Sequence, residues 1–277
     1  MKDCNITFIG GGNMARSLIG GLIADGFNPH HIHVSDAEPL CLQALTDKYP
    51  IHTYSSNIEA AKAGDVLILA VKPQQLQSVV RQLAPHWQAD TLLISIAAGI
   101  RIADIARWLE QEDVAIVRAM PNTPSLVQAG ATALSANDFV STQQHELAES
   151  ILRAVGLALW VDDESKMDAV TALSGSGPAY FFLVMEAMEF AATEMGLDAK
   201  SARLLCLQTA FGAAKMALES DETTKTLRER VTSPGGTTER ALSELEDGGI
   251  RSLFENALVA AALRARELAN QLGEDDA

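Results

Sequence analysis

The sequence predicts an α/β protein in which an N-terminal Rossmann-like dinucleotide-binding domain, residues 1–162, precedes an all-helical C-terminal domain, residues 163–277. Two observations predict this fold class. Short apolar segments of strand length alternate with helical patterns up to residue 161, which is typical of a parallel sheet covered by helices. Beyond the polar run Asp162-Asp163-Glu164, strand patterns stop and helical patterns continue to the end of the chain.

The composition indicates a globular protein whose partners are small molecules or copies of itself. With 277 residues, 48% of them hydrophobic, the chain can bury cores for two domains. A net charge of −15 would repel nucleic acid and leaves no basic patch for an anionic membrane. No apolar export signal precedes the first strand, so we expect a cytoplasmic location. The three cysteines are far apart in sequence and are expected to be buried thiols: Cys4, Cys41 and Cys206.

The first predicted strand, residues 5–9, runs into a glycine-rich turn and a helix that extends through Ala24. Gly10, Gly12 and Ala15 fit the pattern G-x-G-x-x-G/A. The first glycine turns the chain, the second admits a pyrophosphate, and the small third residue lets the helix lie close to the strand. The candidate cofactor-binding residues of this turn are Gly10, Gly11, Gly12, Asn13 and Met14.

The second predicted strand, residues 32–34, ends at Ser35-Asp36, where folds of this class contact the adenine ribose. Asp36 and Glu38 would repel a 2′-phosphate and favour NAD, whereas Ser35 can donate a hydrogen bond to a phosphate. No arginine follows nearby. The residues alone therefore leave NAD and NADP both open.

Three further apolar segments, residues 65–71, 91–97 and 114–119, are predicted to be buried parallel strands. Loops at the carboxyl ends of such strands line the ligand crevice. Small residues after the second segment would let the nicotinamide or its ribose come close. The candidate cofactor-binding residues in these loops are Val71, Lys72, Pro73, Ala97, Ala98, Gly99 and Asn122.

Short strands at residues 131–135 and 156–161 flank a helix at residues 141–155 and would complete the sheet. Arg118 lies on a buried strand just before a proline-rich loop. It could bind a substrate carboxylate or form a structural ion pair, and its position on the strand favours the ion pair.

A stretch in the helical domain, residues 231–242, combines three signals of an anion-binding helix start. Pro234 stops the preceding helix, Gly235 and Gly236 let backbone amides approach a ligand, and Thr237 and Thr238 enter the next helix. The alternative is an ordinary turn with a threonine N-cap.

Six segments together closely resemble pyrroline-5-carboxylate reductases, the enzymes that make proline. They are FIGGGNMA (8–15), VKPQ (71–74), SIAAG (95–99), RAMPNTP (118–124), SGSGPAY (174–180) and VTSPGGTTERAL (231–242). One position departs from the pattern, because many relatives carry an apolar residue where this chain has Glu239. This departure concerns local packing more than chemistry.

The resemblance implies NAD(P)H-dependent reduction of the cyclic imine 1-pyrroline-5-carboxylate to L-proline, with NADPH preferred and NADH as the alternative. It places Asn57 beside the adenosine, although the residues alone indicate an N-cap there. It also implies that Thr238 hydrogen-bonds the ring nitrogen and that a water or Glu222 supplies the proton. The implied substrate-binding residues are Ser174, Ser233, Gly235, Gly236, Thr237 and Thr238.

All six histidines fall in the first domain, which fits an imine substrate. A carbonyl reductase usually needs a histidine or lysine acid, whereas an imine is basic enough to enter already protonated. The cluster His30, His31 and His33 lacks acidic or cysteine partners, so we expect a surface turn and no metal site.

The helix that begins at residues 178–188 is apolar around its circumference and too short and interrupted to span a bilayer. Together with apolar helices near residues 203–218 and 253–268, it favours an intertwined homodimer. The family resemblance implies the same dimer and also that such dimers can assemble further.

Two other functions are alternatives to this one. A related hydroxyacid dehydrogenase would carry a catalytic lysine one helical turn beyond residues 174–178, and this chain has Ala179-Tyr180-Phe181-Phe182 there. A non-catalytic nucleotide-binding or redox-sensing dimer would have no need of the hydroxyl-rich stretch at residues 233–238.

Overall fold

The computed structural model describes residues 4–274, and the chain divides into two compact units. The first unit contains the residues up to Ser176 together with those from Ala260 onward, and the second contains Gly177–Val259. Contacts therefore group residues 163–176 with the sheet, where Glu164 pairs with Arg118. The domain boundary expected at residue 162 stays a prediction.

Eight strands form one sheet in the described part of the first unit. They are β1 (Ile6–Ile9), β2 (Ile32–Ser35), β3 (His52–Tyr54), β4 (Val66–Leu69), β5 (Leu92–Ser95), β6 (Ile116–Met120), β7 (Gly130–Ala136) and β8 (Gly156–Trp160). Their order is β3-β2-β1-β4-β5-β6-β7-β8, and neighbours are parallel except β6 and β7. This arrangement confirms the predicted Rossmann-like fold. The sequence did not indicate β3, because its residues are polar and only partly buried.

Six helices precede the helical region: α1 (Asn13–Ala24), α2 (Pro39–Thr46), α3 (Asn57–Ala61), α4 (Pro73–Leu83), α5 (Ile102–Leu109) and α6 (Thr142–Arg153). The others are α7 (Met167–Val170), α8 (Gly177–Glu194), α9 (Ala199–Glu219), α10 (Thr224–Arg230), α11 (Thr237–Asp247) and α12 (Ile250–Gly273). A π-helical turn, Thr171–Gly175, lies between α7 and α8. No strand follows β8 within residues 161–274, as the sequence predicts.

The sheet is buried on both faces. Successive residues of a strand point to opposite faces, so Phe8 packs in one apolar cluster with Leu18 of α1, and Ile9 packs in the other with Leu76 of α4. All four residues of β1, β4 and β5 are buried. This double burial explains why these strands are continuous apolar runs in the sequence.

Arg118 on β6 is a structural residue, as the sequence analysis favoured. Its side chain is 5% exposed, and its Nη1 donates to Oε1 of Glu164 at 3.0 Å. The same oxygen accepts the N–H of Ile102 at 2.9 Å, at the start of α5. A carboxylate that satisfies both groups leaves Arg118 committed to the fold.

The histidines only partly match the expected surface turn. His30 and His31 lie in a 3₁₀ turn, but His33 is 9% exposed on β2, where its ring stacks on His52 with centroids 5.0 Å apart. Burial, with His52 and His31 nearby, lowers the pKa of His33. The prediction of a surface turn is therefore wrong for His33, because its position on β2 points it inward. No group of three potential metal ligands occurs among residues 4–274.

The second unit exposes many large apolar side chains. The outward-facing residues of α8 and α9 include Phe181, Phe182, Phe190 and Phe211, each more than 60% exposed. A groove of about 460 Å³ lies between these two helices and is lined by Phe182, Met185 and Leu207 among others. Within the described chain, none of the helices has the length and hydropathy that crossing a bilayer requires.

We expect Glu164→Ala to lower the free energy of unfolding by about 2 kcal/mol, because it leaves the buried Arg118 guanidinium and the Ile102 N–H without their acceptor. Chemical denaturation at fixed protein concentration measures this change. The control is Asp162→Ala, which breaks an exposed pair with Lys166 and should cost less than about 1 kcal/mol. Equal effects of the two substitutions would contradict a structural role for the Arg118–Glu164 pair.

Candidate cofactor and substrate sites

A cleft of about 600 Å³ opens at the carboxyl edge of the sheet. The strand order reverses between β1 and β4, and ligands of open α/β sheets bind at such a switch point. The cleft is lined by residues that follow β1, β2, β3 and β4. They are Gly10, Gly12, Ser35, Asp36, Ala37, Glu38, Cys41, Ser55, Asn57, Ala70, Val71, Lys72, Gln75, Ser78 and Val79.

The glycine turn after β1 is shaped for a close approach of ligand. Gly10 has φ of 105°, and a Cβ there would lie 2.8 Å from the carbonyl oxygen of Ala70. Gly12 is the N-cap of α1, and a Cβ there would meet nothing within 4 Å, so protein packing does not require a glycine. The open space beside Gly12 therefore fits the approach of a dinucleotide pyrophosphate.

The first turn of α1 presents amides without partners. The first intrahelical bond runs from the N–H of Arg16 to the carbonyl of Gly12 at 2.9 Å. Gly12 provides no side-chain cap, and the amides of Asn13 and Met14 donate to no group among residues 4–274. Amides at a helix start attract phosphate oxygens, so this turn can hold an anion.

Asp36 ties the end of β2 to the glycine turn. One carboxylate oxygen accepts the N–H of Gly11 at 2.7 Å, and the other accepts the N–H of Glu38 at 2.8 Å. The sequence indicates Asp36 only as an influence on cofactor choice, and not as one of the candidate site residues. Its position directly after β2 was the signal that could have included it.

Ser35 and Asn57 are hydrogen-bonded to each other, a contact that the sequence does not indicate. Ser35 is fully buried, and its hydroxyl donates to Oδ1 of Asn57 at 2.8 Å. Asn57 is the first residue of α3, whereas Ser56 is the N-cap and accepts the N–H of Glu59. The prediction that Asn57 caps the helix is wrong, because Ser56 has the extended backbone of an N-cap and Asn57 is already inside the helix. The Asn57 side chain remains at the cleft.

The other predicted cofactor loops separate into two groups. Val71 and Lys72 line the cleft, and Pro73 is the first residue of α4 behind them. Gly99 has φ of 74° and lies against α12, where a Cβ would be 3.7 Å from the Ala269 nitrogen. Ala97 is buried, Ala98 is half-buried, and neither lines the cleft among the described residues.

Asn122 and Ser174 hold each other within the first unit. Asn122 is 9% exposed, donates from Nδ2 to the Ser174 carbonyl at 3.1 Å, and accepts the Ala131 N–H at 2.9 Å. The Ser174 hydroxyl donates to the Val170 carbonyl at 3.1 Å. Ser174 lies in the π-helical turn, a feature often found at functional sites. One of the two Asn122 amide hydrogens is therefore used in a bond within the protein and is not available to a ligand.

In the second unit, the 233–239 segment forms the start of α11. Gly236 is the N-cap, has no side chain to act as a cap, and donates its N–H to the Ser233 carbonyl at 2.9 Å. The first intrahelical bond comes from Arg240, so the amides of Thr237, Thr238 and Glu239 donate to no group in the described chain. The alternative of a threonine N-cap is wrong, since both threonines lie inside the first turn.

The side chains around this helix start differ in accessibility. Thr238 and Gly236 are half-buried, whereas Ser233, Gly235 and Thr237 are exposed. Gly235 donates its N–H to Oε2 of Glu239 at 2.6 Å. The sequence analysis did not anticipate this contact.

Glu222, the predicted proton source, is paired with a cation. Its Oε2 lies 2.5 Å from Nη1 of Arg230 at the end of α10. Its own N–H donates to the Ser220 hydroxyl at 3.1 Å. Any proton transfer by Glu222 would therefore occur beside Arg230.

Comparison with known proteins identifies the family. A model described as pyrroline-5-carboxylate reductase dimerisation matches residues 164–268, and one described as NADP oxidoreductase, coenzyme F420-dependent, matches residues 5–99. The chain is 49% identical to the pyrroline-5-carboxylate reductase of Pseudomonas aeruginosa, with 99% of this chain and 100% of that protein covered.

Two solved structures extend the comparison. A pyrroline-5-carboxylate reductase from Coxiella burnetii matches with a TM-score of 0.92 and 50% identity, covering 96% of this chain and 98% of that one. The Plasmodium falciparum pyrroline carboxylate reductase with NADP bound matches with a TM-score of 0.85 and 29% identity, covering 97% and 99%. These matches confirm the resemblance seen in the sequence motifs. The chain belongs to the pyrroline-5-carboxylate reductase family, the oxidoreductases that reduce the C=N bond of 1-pyrroline-5-carboxylate in proline biosynthesis.

Proposed function

We propose that this chain reduces 1-pyrroline-5-carboxylate to L-proline with a dinucleotide bound at the start of α1 and the imino acid bound at the start of α11. One observation carries this assignment. Each helix begins at a glycine N-cap without a side-chain cap, and each leaves first-turn amides without partners in the described chain. The two ligands each carry an anionic group that such amides bind.

The cofactor roles follow from the cleft. The amides of Asn13 and Met14 bind the pyrophosphate beside Gly10, Gly11 and Gly12. Ser35 orients Asn57 toward the adenosine ribose, Val71 and Lys72 contribute to the cleft lining, and Pro73 begins α4 directly after them. Ala97, Ala98, Gly99 and Asn122 shape the nicotinamide end by positioning backbone. When bound, the reduced nicotinamide supplies the hydride.

The substrate roles follow from the 233–239 segment. The open amides of the first turn bind the carboxylate of the imino acid, supported by Ser233, Gly235, Gly236 and Thr237. Ser174 is inferred, from the family resemblance alone, to be a further substrate-binding residue. Thr238 accepts a hydrogen bond from the protonated ring nitrogen and so orients the imine. A protonated imine already attracts hydride, so orientation is the main task of these residues.

The ring nitrogen takes up its proton from water before the imine binds, or from Glu222 after it has bound. A threonine hydroxyl is too weak an acid to supply it. Glu222 lies in the same helical unit as Thr238, but its carboxylate is engaged by Arg230. Water is therefore the first choice, with Glu222 as the second.

The apolar surface of α8 and α9 in the second unit fits a second copy of this chain. The exposed phenylalanines of α8 and α9 form a surface too apolar for a lone molecule, and the dimerisation model covers residues 164–268. We infer a homodimer in the cytoplasm. Light scattering should give twice the chain mass of 29.6 kDa, or an even multiple of it if dimers assemble further, and a monomer mass would contradict the inference.

The cofactor preference depends on opposing influences. The family resemblance and the NADP-bound Plasmodium falciparum relative favour NADPH. The Asp36 carboxylate opposes it, because it is held in the cleft by two backbone amides and would repel a 2′-phosphate. We infer that the chain uses both NADPH and NADH. The Asp36 carboxylate reduces the ratio of kcat/KM for NADPH over that for NADH.

The function is tested by loss of reduced-cofactor absorbance on adding pyrroline-5-carboxylate to wild type and Thr238 variants. Thr238→Ala should lower kcat by about 10- to 100-fold, the effect of one hydrogen bond to a charged group, with little change in cofactor affinity. Thr238→Ser keeps the hydroxyl and should retain much of the activity. Equal kcat for wild type and Thr238→Ala would remove the proposed role. Turnover of a 2-hydroxy acid in place of the imine would favour the dehydrogenase alternative.

Asp36→Asn should raise the ratio of kcat/KM for NADPH over that for NADH by about tenfold, since it removes a negative charge beside the ribose while keeping the side-chain size. Steady-state kinetics with each cofactor measures the ratio. Asp47→Asn, at the exposed end of α2, is the matched control and should leave the ratio unchanged. An unaltered ratio in Asp36→Asn would show that the carboxylate does not select the cofactor.

A further inference from the structure

Glu239 makes a contact that ordinary helix capping does not explain. It is the third residue of α11, the position from which an acidic side chain usually reaches back to the N-cap amide. Here the N-cap is Gly236, whose N–H is already donated to the Ser233 carbonyl. The Glu239 carboxylate instead reaches one residue further, to the N–H of Gly235 at 2.6 Å.

The position of this carboxylate matters because the segment is proposed to bind a second carboxylate. The positive end of the α11 dipole and the amides of residues 237–239 attract anions, whatever their source. Two carboxylates at one helix start repel each other, and the Gly235 N–H can serve only one of them. The imino acid therefore binds against Glu239 or displaces it.

Glu239 is free to be displaced. Its side chain is exposed, and it forms no ion pair among residues 4–274. The neighbouring cation, Arg240, pairs instead with Glu244 one turn along the helix, with Nη2 and Oε1 2.7 Å apart. Among the residues that the structure describes, only the Gly235 N–H holds the Glu239 carboxylate in place.

We propose that Glu239 is an internal competitor for the substrate carboxylate, and that it sets the affinity of this chain for its substrate and product. Without ligand, the Glu239 carboxylate occupies the Gly235 amide. When the imino acid binds, Glu239 turns out into solvent. This inference rests on the proposed role of α11 and concerns binding alone, since Glu239 touches no reacting atom in the proposal.

The competition has a definite kinetic consequence. Suppose that in most molecules of free enzyme Glu239 is bound to the Gly235 N–H. The apparent affinity for the substrate is then the intrinsic affinity multiplied by the small fraction of molecules in which Glu239 is displaced. The cost falls on pyrroline-5-carboxylate and proline alike, because both carry the carboxylate. The hydride step is unaffected once the substrate is bound, so KM changes and kcat does not.

Two variants separate charge from hydrogen bonding. Glu239→Gln keeps the size and an acceptor for Gly235 but removes the charge, whereas Glu239→Met removes both. The matched control is Glu244→Gln, which neutralises an exposed carboxylate on the same helix, four residues beyond its first turn. Thermal unfolding of all three variants shows whether each remains folded.

The experiment measures KM and kcat for pyrroline-5-carboxylate at saturating cofactor, and the dissociation constant of proline by calorimetry. We expect both Glu239 variants to lower KM and the proline dissociation constant by about two- to tenfold, with kcat unchanged. Glu244→Gln should match wild type. A KM that is unchanged or raised in both Glu239 variants would overturn the proposal, and so would an equal decrease in Glu244→Gln.

The same measurements distinguish a failure of the proposed substrate site from a failure of the Glu239 competition. If Thr238→Ala loses turnover as expected while the Glu239 variants leave KM unchanged, the binding site stands and the competition is refuted. If proline does not bind to the wild type at all, the proposed function fails and the competition fails with it. A structural role as a helix cap alone predicts lower stability of Glu239→Met with no gain in proline affinity.

Discussion

Backbone N–H groups in the first turn of a helix have no partner within the helix, and α1 and α11 of this chain each begin at a glycine that has no side chain to cap them. The other constraints of the structure serve these two helix starts. At α1, the strand order reverses between the paired neighbours β1 and β4, and a cleft beside Gly12 opens at the carboxyl ends of these strands. At α11, Pro234 and Gly235 turn the chain so that the first-turn amides face outward without a competing side-chain cap.

The same chemistry makes carboxylates decisive in both places. Asp36 accepts the Gly11 N–H beside the dinucleotide cleft, and Glu239 accepts the Gly235 N–H beside the predicted substrate turn. In each case an internal anion satisfies an amide next to those left for a ligand. Asp36 is fixed by a second amide, whereas Glu239 has a single bond and an exposed side chain. Asp36 is therefore a fixed part of the cleft, whereas we propose that the ligand displaces Glu239.

Sequence patterns predicted most strands, α1 and the glycine turn, because buried parallel strands and the G-x-G-x-x-A spacing leave strong local signals. Features that depend on distant contacts were not predictable. Strand β3 is polar and is recognisable only from its pairing with β2. The sequence predicts that Gly99 contacts the cofactor, but Gly99 also packs against α12, about 170 residues later in the chain. No local pattern shows this contact.

Two misses at the site have a different origin. The capping of α3 was assigned to Asn57 because asparagine and serine have similar N-cap preferences, and only the backbone conformation decides which residue is the cap. Glu239 was noted as a departure from relatives, but its contact with Gly235 depends on a side-chain rotamer. Residue type indicated that the position was unusual, and geometry was needed to show what it does.

The most direct test is a crystal structure of the protein with proline and a dinucleotide bound. The account predicts that the proline carboxylate accepts hydrogen bonds from the amides of residues 237–239, with the Thr238 hydroxyl within hydrogen-bond distance of the ring nitrogen. It also predicts the pyrophosphate at the amides of Asn13 and Met14. Proline bound away from residues 233–239 would contradict the central claim.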